Sequence, residues 1–597
     1  MIDREIARTF DRRSALFLGA GTILTSALVL RMLQMQIFGH GEYRRKAENN
    51  SYRIQVDLPM RGAILAADSS AISRDAPIYR IYIIPEEAEN LDGLIDIVRA
   101  ELKLSAKRIE KIYTKIKKQR AFQPVLVSEN SDWARLANLQ AQNLPGLHIE
   151  SGYARNYTLG PAGAQVFGYV GAVERPKGDT LAERSPFFTT GISGLEKSFN
   201  GALCGAAGQT ALIANAVGRI TGEDSSMKIL PENGGNIKTS IRTNVQKILY
   251  DALALNKSGC GVAMDARTGE ILAMVSAPSF DPYQFRGDGG DEYIAQLRND
   301  PAKPFMNKAI EGLYPPGSTF KIVVALAALE SGAISPIEKI HCPGHWEYGD
   351  HRYHCWEKHG HGWVDLAGAL QHSCDVYFYQ VALRIGIDAI KSMALRLGLS
   401  HIFMDGILPR ETTGVIPDRD WKEKNIGSRW MHGDTIISGI GQGFILANCL
   451  QLCTMMARAC TNTGVSPVLV QAAHSRQPIA ASLGLQPANI KFVLNGLEKV
   501  LKEGGTASGS AINVNGKKMG GKTGTSQVRN ISAKERESGV LTNEQLNWSQ
   551  RNHGLFVAYA PTDNPKYAVA VITEHSGGSG QAARTAAAVM RELLKSG

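Results

Sequence analysis

From Ala15 to Leu30 the chain carries no charge, inside the longer apolar stretch SALFLGAGTILTSALVLRMLQMQIFG from Ser14 to Gly39. At about 1.5 Å of rise per residue, a helix of that length crosses a bilayer core of about 30 Å. Arg31, near its far end, can snorkel to a headgroup. A cleavable signal peptide would be followed by a polar region with an A-x-A site, and none follows here. The sequence therefore predicts a tail over 1–13, a transmembrane anchor over 14–38, and a large folded remainder on the far side of the membrane. Arg4, Arg8, Arg12 and Arg13 are answered by Arg44, Arg45 and Lys46 across the span, so positive-inside counting is nearly balanced. A single N-terminal span ahead of so long a soluble chain reads as a protein facing the exterior or periplasm.

A chain of 597 residues exceeds one ordinary core, so several domains are expected. Its net charge of +10 suits an anionic surface or polymer. Nucleic acid is not expected as a partner, because no basic run is interleaved with aromatics and no zinc-finger, RRM or helix-turn-helix signature occurs. Residues 39–235 mix short strand patterns (YRIYIIPE, AQVFGYVGAV) with one charged helix pattern, LSAKRIEKIYTKIKKQ, and carry no chemistry-bearing constellation. They read as a non-catalytic scaffold. From residue 236 to 597 the texture changes. Alternating apolar strands (GCGVAMDARTGEILAMVSA) precede long apolar helix patterns (STFKIVVALAALESG, DVYFYQVALRIG, CLQLCTMMARAC), then strands HGLFVAYAP and KYAVAVITEH and the helix ARTAAAVMRELLKS. Helices between an early hairpin and late strands predict an α+β domain on a mainly antiparallel sheet.

The stretch YPPGSTFK, Tyr314 to Lys321, stops the chain with Pro-Pro-Gly and then opens an apolar helix. A lone S-x-x-K arises by chance in a chain of this length, and Ser225 to Lys228 supplies one that runs into no helix. Ser318 differs: at a helix start, positions i and i+3 share a face, which lays Lys321 beside it. A hydroxyl needs a base within reach to become a nucleophile, and a lysine serves only when burial or another cation keeps it neutral. The plain alternative is a serine that caps a core helix. Two further triplets shift the balance. Ser373-Cys374-Asp375 opens the next apolar helix, and Lys522-Thr523-Gly524-Thr525 lies on a predicted strand, with Lys522 and Gly524 facing one side and Thr523 and Thr525 the other. Gly524 is expected to let a ligand backbone approach closely. The three triplets in this order are a strong signal.

Four residues add a separate pattern. Cys342, Cys355, His361 and Cys374 follow C-x12-C-x5-H-x12-C, three thiolates and an imidazole, the donor set of a closed tetrahedral zinc site. A disulfide between two of the cysteines, or plain buried thiols, are the alternatives, and His351, His354 or His359 could replace His361. Cys449, Cys453 and Cys460 follow helical spacing and read as core. Cys204 and Cys260 carry no pattern.

With the three triplets in place, the chain resembles the penicilloyl serine transferases and, more closely, the class B, elongation-type penicillin-binding protein 2 group. The likeness extends to GISGLEKSFNGAL (Gly191–Leu203), GEILAMVSAPSFDPYQF (Gly269–Phe285), SGIGQG (Ser438–Gly443) and KTGTSQV, and so covers nearly the whole chain. Asp375, where many relatives have Asn, is the elongation-type variant. PMRGAILAADSSAISRDAP departs from the family's usual R-G-x-I-x-D-R-N-G pattern. The resemblance implies a transpeptidase domain over 236–597 on an elongated pedestal or dimerisation-type module over 39–235, held by a single-pass anchor in the inner membrane with the catalytic domain in the periplasm. It implies that Ser318 attacks the carbonyl between the last two D-alanines of a peptidoglycan stem peptide while Lys321 takes its proton. Ser373 would relay a proton to the leaving amine and Asp375 would hold that network. Lys522, with Thr523 or Thr525, would bind the terminal carboxylate, and backbone N–H groups of Ser318 and Thr525 would form the oxyanion hole. β-Lactams would be trapped on Ser318. Some relatives carry metal-ligating side chains in the Cys/His segment, which favours structural zinc there; no organic cofactor is implied. The implied partners are a SEDS-family glycosyltransferase and other membrane proteins of the elongation complex.

A D,D-carboxypeptidase or β-lactamase shares this chemistry, but such hydrolases usually dispense with the N-terminal module, and no clear deacylating glutamate loop is present. A β-lactam receptor would carry several membrane spans, and one is visible. A scaffold with little turnover is the remaining alternative.

Overall fold

The computed structural model describes residues 2–38, 52–130, 133–172, 180–185, 187–214, 220–286, 289–471, 480–529, 535 and 540–596. Gly39, Arg44, Arg45 and Lys46, on which the charge count across the span partly rests, lie outside the described residues. A helix runs over Ile2–Leu33, and the segment Ser14–Ile37, with mean hydropathy 1.8, is long and apolar enough to cross a membrane.

The chain divides into two compact units. The first comprises residues 1–60, 173–188 and 205–233. Its sheet is antiparallel, with Gly208–Ala214 between Tyr52–Asp57 and Ile220–Ile229. The second S-x-x-K, Ser225 to Lys228, lies on the last of these strands, and Lys228 pairs with Glu223 3.1 Å away. The pairing register of that strand breaks between Asp224 and Ile229, and no helix forms there, so the spacing that matters on a helix means nothing here.

The second unit holds residues 61–172, 189–204 and 234–597. In its N-terminal part the long strand Ala71–Ile83 pairs with Val125–Asn130 and Leu147–Tyr157. Ile81, Ile83 and Val125 pack against helices Leu91–Leu102 and Ala106–Lys118. The second helix is the charged pattern expected from the sequence, capped by Ser105. The strand expected over AQVFGYVGAV forms only at Val170–Ala172; Ala164–Phe167 is a helical turn ended by Gly168 at φ 77°. Four residues between glycines, three of them apolar, are too few to show either period, and all four are buried. Where PMRGAILAADSSAIS departs from the family pattern, a tight turn still forms. Ser70 donates from its N–H and its hydroxyl to Asp68 Oδ1, and Ser69 takes φ 67°.

Residues 234–597 build an antiparallel sheet of five strands: β1 (Gly259–Asp265), β2 (Ile271–Ala277), β3 (Gly520–Ser526), β4 (His553–Ala560) and β5 (Tyr567–Thr573), in the order β2-β1-β5-β4-β3. Every residue of β1, β2 and β5 is buried, because both faces are covered. Helices α1 (Thr243–Ala254) and α6 (Gly580–Ser596) cover Ala263, Val275, Phe556 and Val569. On the other face α5 (Cys449–Thr461) packs on Val262, Leu555, Ala568 and Ala570. Beyond it lie α2 (Lys321–Glu330), α3 (Leu366–Gln371) and α4 (Asp375–Arg396, kinked at Gly386). Cys449, Cys453 and Cys460 are buried core thiols, as their spacing predicts. The early hairpin, the helices and the closing strands all fall where the apolar periods put them. Strand β3 is one of the sheet's two edge strands, buried along its length except at Thr525.

Candidate active site

Ser318 lies in a 3-10 turn, Gly317–Phe320, just before α2 begins at Lys321. Neither end of this turn has a side-chain cap bond, so the capping role that the sequence allowed for Ser318 is not the one it plays. The turn is wedged against β3. Gly317 has φ 53°, and a Cβ there would come within 2.5 Å of the Thr525 carbonyl oxygen. A Cβ on Gly524 would lie 2.9 Å from Pro316 O and Thr319 Cγ2. The room that Gly524 leaves is thus filled by the chain's own Pro-Gly-Ser-Thr turn, which fixes Ser318 beside Thr525. Pro316 and Gly317 are buried, whereas Ser318 is partly exposed.

Behind Ser318 the three motifs converge. Lys321 and Lys522 are both 0 % exposed. Lys321 Nζ donates to Ser373 O at 2.9 Å, to Ser373 Oγ at 3.3 Å and to Asp375 Oδ1 at 2.7 Å. None of these bonds runs to Ser318 Oγ. Lys522 Nζ donates to the same Ser373 Oγ at 2.8 Å, to Thr523 O at 3.2 Å and to Thr523 Oγ1 at 3.5 Å. One hydroxyl therefore sits between two lysines. Burial, and after it the charge of Lys321, holds the Lys522 amine well below the usual lysine range. Strand alternation puts Lys522 and Thr523 on opposite faces, but the lysine stem is long enough to bring its amine back to its neighbour's hydroxyl. Thr525 is the exposed residue of β3.

Ser373 occupies the left-handed region at φ 56°, costly for a residue with a Cβ and found where surrounding contacts over-determine the backbone. Those contacts come from a segment that spacing alone did not tie to the motif. Trp356 donates its backbone N–H to Asp375 Oδ2 at 3.0 Å, and its indole N–H to the carbonyls of His372 and Ser373 at 3.0 and 3.1 Å. Two further residues escaped the sequence reading. Thr506 shares a 2.8 Å hydrogen bond with Thr523, hydroxyl to hydroxyl. Gln442, within the quoted SGIGQG stretch, donates to Thr525 O at 3.0 Å.

The donor atoms of Cys342, Cys355, His361 and Cys374 all lie within 4.8 Å of one another. Cys342 ends a short strand paired with Gly362–Val364, and the His361 N–H donates to Cys342 O at 3.0 Å. The His361 Nδ1 atom faces the thiols, 3.7 Å from Cys342 Sγ and 3.6 Å from Cys355 Sγ. His351, His354 and His359, the other imidazoles considered, are exposed. All eight cysteines are free thiols. Hydrogen bonds with Cys342, then Cys374, hold Cys355 far below the usual thiol range, helped by the Asp375 N–H that donates to its sulfur at 3.4 Å. His361 is pushed up to about 9 by its contacts with Cys342 and Cys355. Three buried cysteine sulfurs and an imidazole nitrogen converging on one point fit a soft tetrahedral cation.

Three comparisons complete this geometry. The family model described as "Penicillin binding protein transpeptidase domain" matches residues 259–595. That of the "Penicillin-binding Protein dimerisation domain" matches residues 56–239. The chain is 32 % identical to the peptidoglycan D,D-transpeptidase MrdA of Acinetobacter baumannii, over 96 % of this chain and 86 % of that protein. It is 30 % identical to MrdA of Escherichia coli K12, over 98 % and 94 %. Among solved structures, PBP2 of Helicobacter pylori in complex with MreC superposes with a TM-score of 0.74 at 26 % identity, covering 92 % of this chain and 99 % of that one. PBP2 of Pseudomonas aeruginosa in complex with WCK 5153 superposes with a TM-score of 0.65 at 28 % identity, covering 91 % and 97 %.

Proposed function

The chain belongs to the penicillin-binding protein transpeptidase family and is a peptidoglycan D,D-transpeptidase of the elongation type; from that premise we propose how its residues divide the reaction. Ser318 is the nucleophile that opens the bond between the last two D-alanines of a stem peptide, forming an acyl-enzyme and releasing D-alanine. Lys321, once it has given up its own proton, accepts the serine's. The Ser373 hydroxyl, within 3.3 Å of Lys321 and 2.8 Å of Lys522, passes a proton to the leaving amine. Asp375 holds Lys321 in line. The N–H groups of Ser318 and Thr525 receive the developing oxyanion, a role whose loss typically costs about 100- to 1000-fold. Lys522, Thr523 and Thr525, on either side of Gly524, bind the terminal carboxylate, with Thr506 orienting the Thr523 hydroxyl. An amine of a neighbouring strand then takes the acyl group and closes the cross-link. β-Lactams acylate the same serine.

The observation that carries this reading is the single Ser373 hydroxyl bonded to both buried lysines, beside the turn that bears the partly exposed Ser318. Mass spectrometry after penicillin treatment, with the adduct mapped by digestion, is its test. The adduct is expected on Ser318, and an adduct elsewhere overturns the assignment. Ser318→Ala should form no adduct and no cross-links.

Cys342, Cys355, His361 and Cys374 would hold a structural zinc ion, whose chemistry is to fix four side chains rather than to touch substrate. Cys374 lies between Ser373 and Asp375, so such an ion would pin the second motif. Elemental analysis of the purified protein tests this, and near-stoichiometric zinc is expected. The apolar segment Ser14–Ile37 would be the single-pass anchor in the inner membrane, with the transpeptidase domain in the periplasm. The MreC complex of the Helicobacter pylori relative supports an elongation-complex partner for this chain. A SEDS-family glycosyltransferase is proposed from the family resemblance alone.

A further inference from the structure

Trp356 is the large aromatic side chain of the Cys/His segment that is 56 % exposed and yet fully committed to the catalytic motif. Core packing does not explain its position, since more than half of it faces solvent. Its hydrogen bonds do. The backbone N–H donates to Asp375 Oδ2 at 3.0 Å, and the indole N–H is shared between His372 O at 3.0 Å and Ser373 O at 3.1 Å. Its ring lies 5.5 Å, centroid to centroid, from that of His361.

Two of these acceptors do a second job. The Ser373 carbonyl and the Asp375 carboxylate are the groups that hold Lys321 Nζ, at 2.9 and 2.7 Å. Asp375 therefore has one oxygen on Lys321 and the other on Trp356, and the Ser373 carbonyl accepts from both residues. We infer that Trp356 is a positioning residue of the transpeptidase reaction, bracing the two acceptors that hold the Lys321 amine in the site. The inference rests on the site reading above. Its physical basis is that proton transfer requires heavy atoms at hydrogen-bond distance, and a shift of about 1 Å can cost about 100-fold. The left-handed Ser373 backbone needs such a brace, because an αL residue with a Cβ relaxes when its contacts are removed.

Trp356→Phe keeps an aromatic ring and the backbone N–H, and deletes the indole N–H with part of the ring surface. We expect its acylation rate constant with a penicillin to fall by about 10-fold or more. The dissociation constant of the complex before acylation, the melting temperature and the metal content should stay at their wild-type values. Trp356→Gln, which restores an N–H donor without the ring, should recover part of the acylation rate, an effect that a merely structural role would not produce. The inference is overturned if Trp356→Phe acylates at the wild-type rate, if its loss lies wholly in the initial binding, or if folded Trp356→Gln does no better than Trp356→Phe. Should Trp356→Phe prove unstable, the acylation rate of Trp356→Gln against wild type decides: a loss beyond about 100-fold in a folded protein counts against the inference. The wild-type adduct map separates the two levels. No adduct on Ser318 sinks the site reading itself, whereas an adduct there with an unaffected Trp356→Phe sinks only the role of Trp356.

Discussion

Two clusters of buried charge lie in the second unit, and they are built on opposite principles. In the N-terminal part, Glu196 is 0 % exposed and receives Arg61 Nε at 2.6 Å and Arg155 Nε at 2.7 Å, one on each oxygen. Ser73 Oγ donates to it as well, and Arg155 reaches Asp75 Oδ1 at 3.1 Å. The remaining guanidinium nitrogens end on Asn200, Gly62 O and Glu196 O. Two cations meet two anions, and the donors are answered. Around Ser373, by contrast, two lysines stand near one carboxylate, Asp375, which bonds Lys321 alone of the two, while the bonds of Lys522 run to neutral oxygens. The first cluster is saturated and has nothing left to give a substrate. The second has a cation in surplus, and a substrate carboxylate is what completes it. Imbalance, rather than burial, separates the reactive centre from the structural one.

Removing the anion at the centre of the saturated cluster should have the largest effect. Glu196→Ala leaves two buried guanidinium groups facing each other, and breaking a buried pair in this way costs about 3–5 kcal/mol. We expect a large drop in melting temperature, with the fraction that remains folded still acylated by penicillin at close to the wild-type rate. A folded Glu196→Ala that has lost acylation would erase the distinction between the clusters.

Lys522→Met is the converse. Burial holds the folded-state pKa of Lys522 below its unfolded value, so the folded state binds that proton less readily. The charged form is therefore a burden on stability at every pH where the unfolded lysine is protonated, and removing it should leave the melting temperature unchanged or raised. Acylation should fall by about 100-fold or more, since both the carboxylate contact and one neighbour of Ser373 go with it. Loss of stability together with activity would mean that Lys522 is structural after all.

The saturated cluster also marks how far residue patterns could be followed. Ser318, Lys321, Ser373, Asp375 and Lys522 were legible because each sits at the edge of an element whose period is plain in the sequence, and because local spacing puts Lys321 one turn from Ser318. The five-stranded sheet was legible for the same reason. Trp356 and Thr506 were not, because their partners lie far along the chain and only the fold brings an indole N–H onto Ser373 O or a hydroxyl onto Thr523. The bond of Gln442 to Thr525 O depends on the packing of the loop at Gly441 against the Ser318 turn. A Cβ on Gly441 would meet Gly317 O at 2.3 Å, and no local pattern encodes that. Ala164–Phe167 forms a helical turn where a strand is expected because a run that short has no period of its own.

Metal removal probes the segment that connects to the unbalanced centre. If zinc holds Cys342, Cys355, His361 and Cys374, a chelator strong enough to strip it should slow acylation by about 10-fold or more by loosening Cys374 and its neighbours. The Glu196 cluster, which shares no residue with it, should keep its thermal transition. A stripped protein that acylates normally would show that the second motif holds itself without the ion.

The smallest effect is in pH dependence, and it separates arginine from lysine. Guanidinium groups keep their protons throughout the neutral and mildly alkaline range, so the Glu196 cluster is indifferent there. Lys522, held down by burial and by the charge of Lys321, gives up its proton at lower pH than an ordinary lysine. A substrate carboxylate needs the protonated form. The affinity of the complex before acylation should therefore weaken as pH rises from neutral through that depressed pKa, by no more than about tenfold per pH unit. Stopped-flow acylation across that range separates this binding term from the rate constant. In Lys522→Met the pH dependence of binding should vanish while its affinity stays low. A wild-type affinity flat across the range would place the carboxylate away from Lys522, and the surplus cation would then serve Ser373 alone.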